Sequence, residues 1–178
     1  MQIRNWNCRN RHATDVGATR ASPLHDPLVN MKTPSLQKTT WLVPDERGWG
    51  VVARDIAVRL KPGSILALQG PLGAGKTTFM QALAKELGAK RVPKSPTFSL
   101  LRTYSVRHGK IKRLLHVDAY RIDHERDLIP LDLDEELSIG DAMLVLEWPE
   151  KVKGWLKKRQ MISLNIRIRK DGREAVLG

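Results

Sequence analysis

Residues 70–77 read Gly-Pro-Leu-Gly-Ala-Gly-Lys-Thr, the spacing G-x-x-x-x-G-K-[ST]. The run "SILALQ" (64–69) before it is apolar enough for a buried strand. From Lys76 onward, Phe79, Leu83 and Leu87 fall on one helical face with Met80 and Ala84, and Gly88 stands where a C-terminal cap belongs. A strand that enters a glycine loop and leaves it as a helix commits the chain to an α/β sheet. Glycines let the backbone curl until successive N–H groups point inward, which makes an anion nest at the positive end of the helix. Gly70, Gly73, Ala74 and Gly75 would line that nest, with Thr78 completing the set. A triphosphate suits it: Lys76 would span the β- and γ-phosphates, and the Thr77 hydroxyl would complete the coordination of a magnesium ion.

A magnesium nucleotide also needs an acid at the end of a neighbouring strand and a group that positions the attacking water. Two apolar runs end that way, "LLHVD" at Asp118 and "MLVLE" at Glu147. Together with Thr77 they make the set that an ATPase requires, although either acid alone also fits a cap or an ion-pair partner. Thr97 in "KSPTF" (94–98) fits a switch-loop threonine or a Ser-Pro turn. Trp148, between Glu147 and Pro149, fits packing beneath the acid or a face offered to a base.

Further strands are expected at "SLLRTYSV", "KRLLHV" (112–117), "AMLVLE" (142–147) and "MISLNIRIR" (161–169), with a short amphipathic helix over Val51 to Leu60. The alternation in 161–169 suggests an antiparallel addition. The expected fold is therefore a P-loop NTPase-like α/β domain over 39–178: a mainly parallel central sheet, flanking helices and antiparallel additions. Residues 1–38 lack periodicity and read as a disordered leader or an over-called start before Met31.

One cysteine, Cys8, excludes a disulfide framework within the chain and a thiolate zinc cluster. His108, His116 and His124 fall eight apart, which matches neither a helix face nor a metal pair, and they read as unrelated. No apolar run approaches the roughly 20 residues of a membrane span, so a cytoplasmic protein with no membrane partner is expected. The net charge of +12 favours an anionic partner. The charge is segregated: +8 over Lys85 to Arg113, −9 over Asp118 to Glu150 and +7 over Lys151 to Gly178.

The ordered blocks "GPLGAGKTTF", "KSPTFSL", "HVDAYRI" and "LEWPEK" resemble the TsaE (YjeE) family, a small P-loop ATPase of bacterial tRNA threonylcarbamoyladenosine synthesis. The likeness runs from about Pro44 to Arg173. It implies an enzyme using ATP and Mg2+, with Thr77 and Glu147 on the metal, Asp118 near the γ-phosphate as a water-orienting or basic residue, and Thr97 in the switch loop. It implies adenine contacts near Asp45 and Arg47, and Arg173 near the nucleotide. It also implies the partners TsaB and TsaD, with tRNA contacted indirectly or weakly. The chain departs from the family at Pro71, where an acid is usual, and at Ala53, where glycine is usual. Two other functions share these features: a P-loop kinase acting on a small acceptor, and a basic RNA-binding protein switched by nucleotide. The acidic stretch Asp123 to Asp141 suits phosphate clamping poorly, and two Phe with two Tyr offer few stacking platforms.

Overall fold

The computed structural model describes residues 38–91 and 99–178. The expectations for the leader and for Thr97 lie outside the described residues. Among the described residues seven strands form one sheet: β1 Thr39–Val43, β2 Ile65–Gln69, β3 Leu101–His108, β4 Ile111–Asp118, β5 Ala142–Glu147, β6 Ile162–Arg169 and β7 Gly172–Leu177. Their order is β1-β7-β6-β2-β5-β4-β3. The inner four, β6, β2, β5 and β4, run parallel, while β1, β7 and β3 join antiparallel.

The parallel strands are the apolar ones because they are covered on both faces. All six residues of β5 are buried. On one face Leu66, Leu68, Met143, Val145 and Leu164 meet α1 (Trp49–Ala57) and α2 (Lys76–Glu86). On the other, Ile65, Leu115, Val117, Leu144 and Leu146 lie under Ala119, Ile122 and Leu128, α3 (Leu133–Ser138), Val152 and α4 (Lys153–Leu156). Among the described residues no helix is long and apolar enough to cross a membrane.

The helix that follows the glycine loop is fixed at both ends. Gly75 precedes it with φ of 102°. At its far end Gly88 takes φ of 79°, its N–H bonds to Lys85 O, and Ala89 N–H bonds to Ala84 O, so a left-handed glycine closes the last turn. The face read from the sequence is the buried one: Phe79, Met80, Leu83, Ala84 and Leu87 have no exposed surface. Phe79 also packs edge-on against Trp49, with centroids 5.7 Å apart. Phe79→Ala should therefore lower unfolding free energy by about 3–5 kcal/mol in denaturant titration, with α1 and α2 losing their shared contact.

Two expectations change. α1 begins at Trp49, before Val51, and ends at Ala57, before Leu60. β6, expected to be antiparallel, runs parallel to β2 and is antiparallel only to β7. Its alternation has another cause. Leu164 and Ile166 are buried on the α1–α2 side, whereas Ser163, Asn165 and Arg167 face the side that α4 leaves partly open. β1 and β7 are strands that the local sequence pattern does not mark.

Candidate functional site

Because β2, β4 and β5 are parallel, their carboxyl ends lie along one edge of the sheet, and ligands of open α/β sheets bind at that edge. β2 ends in the glycine loop, while β4 and β5 end side by side with Asp118 and Glu147 in register. These elements enclose a cavity of about 560 Å3, bounded by Gly73, Gly75, Lys76, Thr77, Thr78, Asp118, Glu147 and Trp148.

The loop needs its glycines for different reasons. At Gly70 φ is 145°, and a Cβ would lie 2.4 Å from the carbonyl oxygen of Ile166. At Gly75 a Cβ would lie 3.0 Å from the Trp49 ring. The first conflict is with backbone and has no flexible partner to yield. Gly70→Ala should displace the loop, seen as a loss of nucleotide affinity of at least about tenfold, because the amide nest no longer converges. α2 begins at Lys76, so its first amides have no partner within the helix and face the loop.

Lys76 is 5% exposed. Its Nζ donates to Gly70 O at 2.7 Å and Pro71 O at 2.9 Å and lies 3.7 Å from the centre of the Trp148 ring. Burial lowers its pKa, and the nearby charges of Glu147, Glu150 and Asp118 oppose that shift. Trp148 holds its position in the left-handed region, φ 61° and ψ 53°, and meets Tyr120 at 5.1 Å between centroids. Trp148 packs against the core cluster beneath β5, and its face is also turned to the lysine.

Thr77 and Glu147 are 70 residues apart in sequence, yet the Thr77 hydroxyl is 3.3 Å from Glu147 Oε1 and 3.4 Å from Oε2. Glu147 is 2% exposed, and its Oε1 also accepts from His116 Nε2 at 2.9 Å. Asp118 accepts from the Tyr120 amide at 3.1 Å. Burial raises the Asp118 pKa and the neighbouring Glu147 adds to the rise, while the Tyr120 amide, His116 and Lys76 pull it down. A hydroxyl beside a carboxylate is a hard-oxygen pair of the kind magnesium takes. Among the described residues no group of three or more His, Cys, Asp or Glu could hold a metal ion. A cation here would therefore be shared with the phosphates of a ligand.

A second cavity, about 320 Å3, adjoins the first across Gly73, Gly75 and Thr78 and is bounded by Trp49, Asp45 and Arg173. Asp45 caps the turn that leads into α1 and ion-pairs with Arg47 at 2.7 Å. Arg47 does not line this cavity. Arg173 donates to Ala74 O at 3.1 Å and Gly73 O at 3.2 Å, so it braces the glycine loop from β7. The spacing of His108, His116 and His124 among themselves does not single out His116. The informative spacing was to Asp118, two residues on and therefore on the same face of the strand.

Known proteins are similar to this chain in sequence and fold. The family model described as "Threonylcarbamoyl adenosine biosynthesis protein TsaE" matches residues 43–175. The protein of Bacillus subtilis named "tRNA threonylcarbamoyladenosine biosynthesis protein TsaE" is 31% identical over 139 residues, covering 78% of this chain and 84% of its own. The Treponema pallidum protein of that name is 35% identical over 132 residues, covering 74% and 91%. Among solved structures, "Crystal structure of Bacillus subtilus YdiB" superimposes with a TM-score of 0.63 at 29% identity, covering 79% of this chain and 84% of that one. The family match starts at the end of β1 and stops within β7, so it takes in the glycine loop, both strand-end acids and Arg173. On that span of sequence and fold, the chain belongs to the TsaE family.

Proposed function

We propose that this chain hydrolyses ATP with magnesium, in support of threonylcarbamoyl transfer to tRNA by the partner pair TsaB and TsaD. The observation that carries the reading is the meeting of Thr77 and Glu147 at 3.3 Å beneath an amide-lined glycine loop. A magnesium ion held between them would neutralise charge that builds on the phosphates and orient them. The first amides of α2 bind the triphosphate. Lys76 exchanges the carbonyls of Gly70 and Pro71 for β- and γ-phosphate oxygens. Asp118 orients the attacking water and takes up its proton, a task that its raised pKa favours. Thr97 is the residue that the family resemblance assigns to the switch contact with the γ-phosphate. The second cavity takes the base and ribose, with Asp45 at its rim.

The test is product analysis. The purified chain, alone and with TsaB and TsaD, is incubated with magnesium ATP and candidate small acceptors. Phosphate released to water, with turnover increased by the pair, supports the reading. A phosphorylated acceptor would make the protein a kinase. Failure to co-purify with TsaB and TsaD in the presence of ATP would remove the assigned partners.

A further inference from the structure

A carboxylate as buried as Glu147 is stable only with partners that replace water. Thr77 supplies one long contact to each oxygen, while His116 supplies the short one, to Oε1 alone. Glu147 can only accept, so the hydrogen of that bond sits on His116 Nε2. The imidazole is itself fully buried, and its Nδ1 is a buried side-chain atom without a hydrogen-bond partner among the described residues. His116 leaves β4 on the face of Leu114, opposite Val145 of β5, and its ring lies 6.5 Å from that of Tyr104. An apolar side chain would satisfy such surroundings better than a ring with an orphaned nitrogen. What polarity at this position achieves is the single bond to Glu147.

We propose that His116 is a positioning residue for the cation end of the site: by holding Glu147 Oε1 it fixes the carboxylate so that Oε2 faces the ion beside Thr77. The inference rests on the reading of Glu147 as a cation-holding group. Outer partners of ligating carboxylates act in this way, and their loss weakens metal affinity by about 10–100-fold.

The test measures metal binding without turnover. Manganese is titrated into the protein saturated with a non-hydrolysable ATP analogue, and free Mn2+ is followed by electron paramagnetic resonance. His116→Leu, which keeps an apolar filling, should weaken Mn2+ binding about tenfold, while His116→Gln, whose amide reaches Glu147, should stay within about threefold of the parent. Affinity for the analogue in EDTA should be unchanged in both. If His116→Leu fails to melt cooperatively, His116→Asn replaces it; that amide is one methylene shorter than the Gln amide, and it should show the tenfold loss while Gln does not. Parental Mn2+ affinity in the variant lacking the bond overturns the inference, as does an equal loss of analogue affinity in EDTA, which marks a purely structural role. Glu147→Ala separates the two levels. If it weakens Mn2+ binding and His116→Leu does not, this inference alone falls; if it leaves Mn2+ binding untouched, the reading of Glu147 falls too.

Discussion

Replacing Lys76 by alanine should reduce ATP turnover by about a hundredfold or more, the cost of removing a preorganised charge from a developing anion. The side chain is 5% exposed, and its ammonium is held by two loop carbonyls and the Trp148 face, so it already stands at the glycine-loop end of the cavity. Folding should survive. The substitution removes a cation–π contact of about 0.5–2 kcal/mol but also removes an ammonium that burial disfavours, and these effects oppose each other. Steady-state phosphate release beside a thermal melt checks both halves. Parental turnover in a folded Lys76→Ala protein would exclude the site. Lys76→Arg should not rescue it, because a planar guanidinium does not replace a compact ammonium in so closed a position.

Glu147→Ala should reduce magnesium-dependent hydrolysis by about a hundredfold, but it should also cost stability. Removing the carboxylate leaves the buried His116 ring without the acceptor for its Nε2, beside a Nδ1 that already lacks a partner. An orphaned buried donor costs about 1–3 kcal/mol, so a lower melting temperature accompanies the lost activity and confuses its cause. Glu147→Gln separates the two. Its amide oxygen still accepts from His116 while the charge is gone. Unfolding free energy should return to within about 1 kcal/mol of the parent, while hydrolysis stays low at every magnesium concentration. Restored hydrolysis in Glu147→Gln would mean that the carboxylate serves packing and not the metal.

The parts of the site that were legible share a property: their signal is local. Gly70 to Thr77 mark a glycine loop between strand and helix by spacing, and the face of α2 can be counted from Phe79 to Leu87 without knowing what it packs on. β4 and β5 could be recognised from apolar runs that end in acids. β1 and β7 could not. "TTWLV" and "GREAVL" are short and mixed in character; β1 becomes a strand by pairing with β7 across 130 or more residues, and β7 is held between β1 and β6. Arg173 suffered for the same reason. In "DGRE" it could be read as one more exposed base, but β7 carries it to the carbonyls of Gly73 and Ala74.

Local chemistry alone established the glycine loop between strand and helix, the helix behind it and the α/β class, because those properties depend on the order of neighbouring residues. Which of two acids would stand against Thr77, and that a histidine would hold it there, depended on strand order. β5 sits between β2 and β4, so Glu147 emerges next to the glycine loop while Asp118 emerges one strand further away. That order is set by the burial of whole strand faces against α1 and α2, a sum over contacts distant in the chain that no single stretch of residues contains.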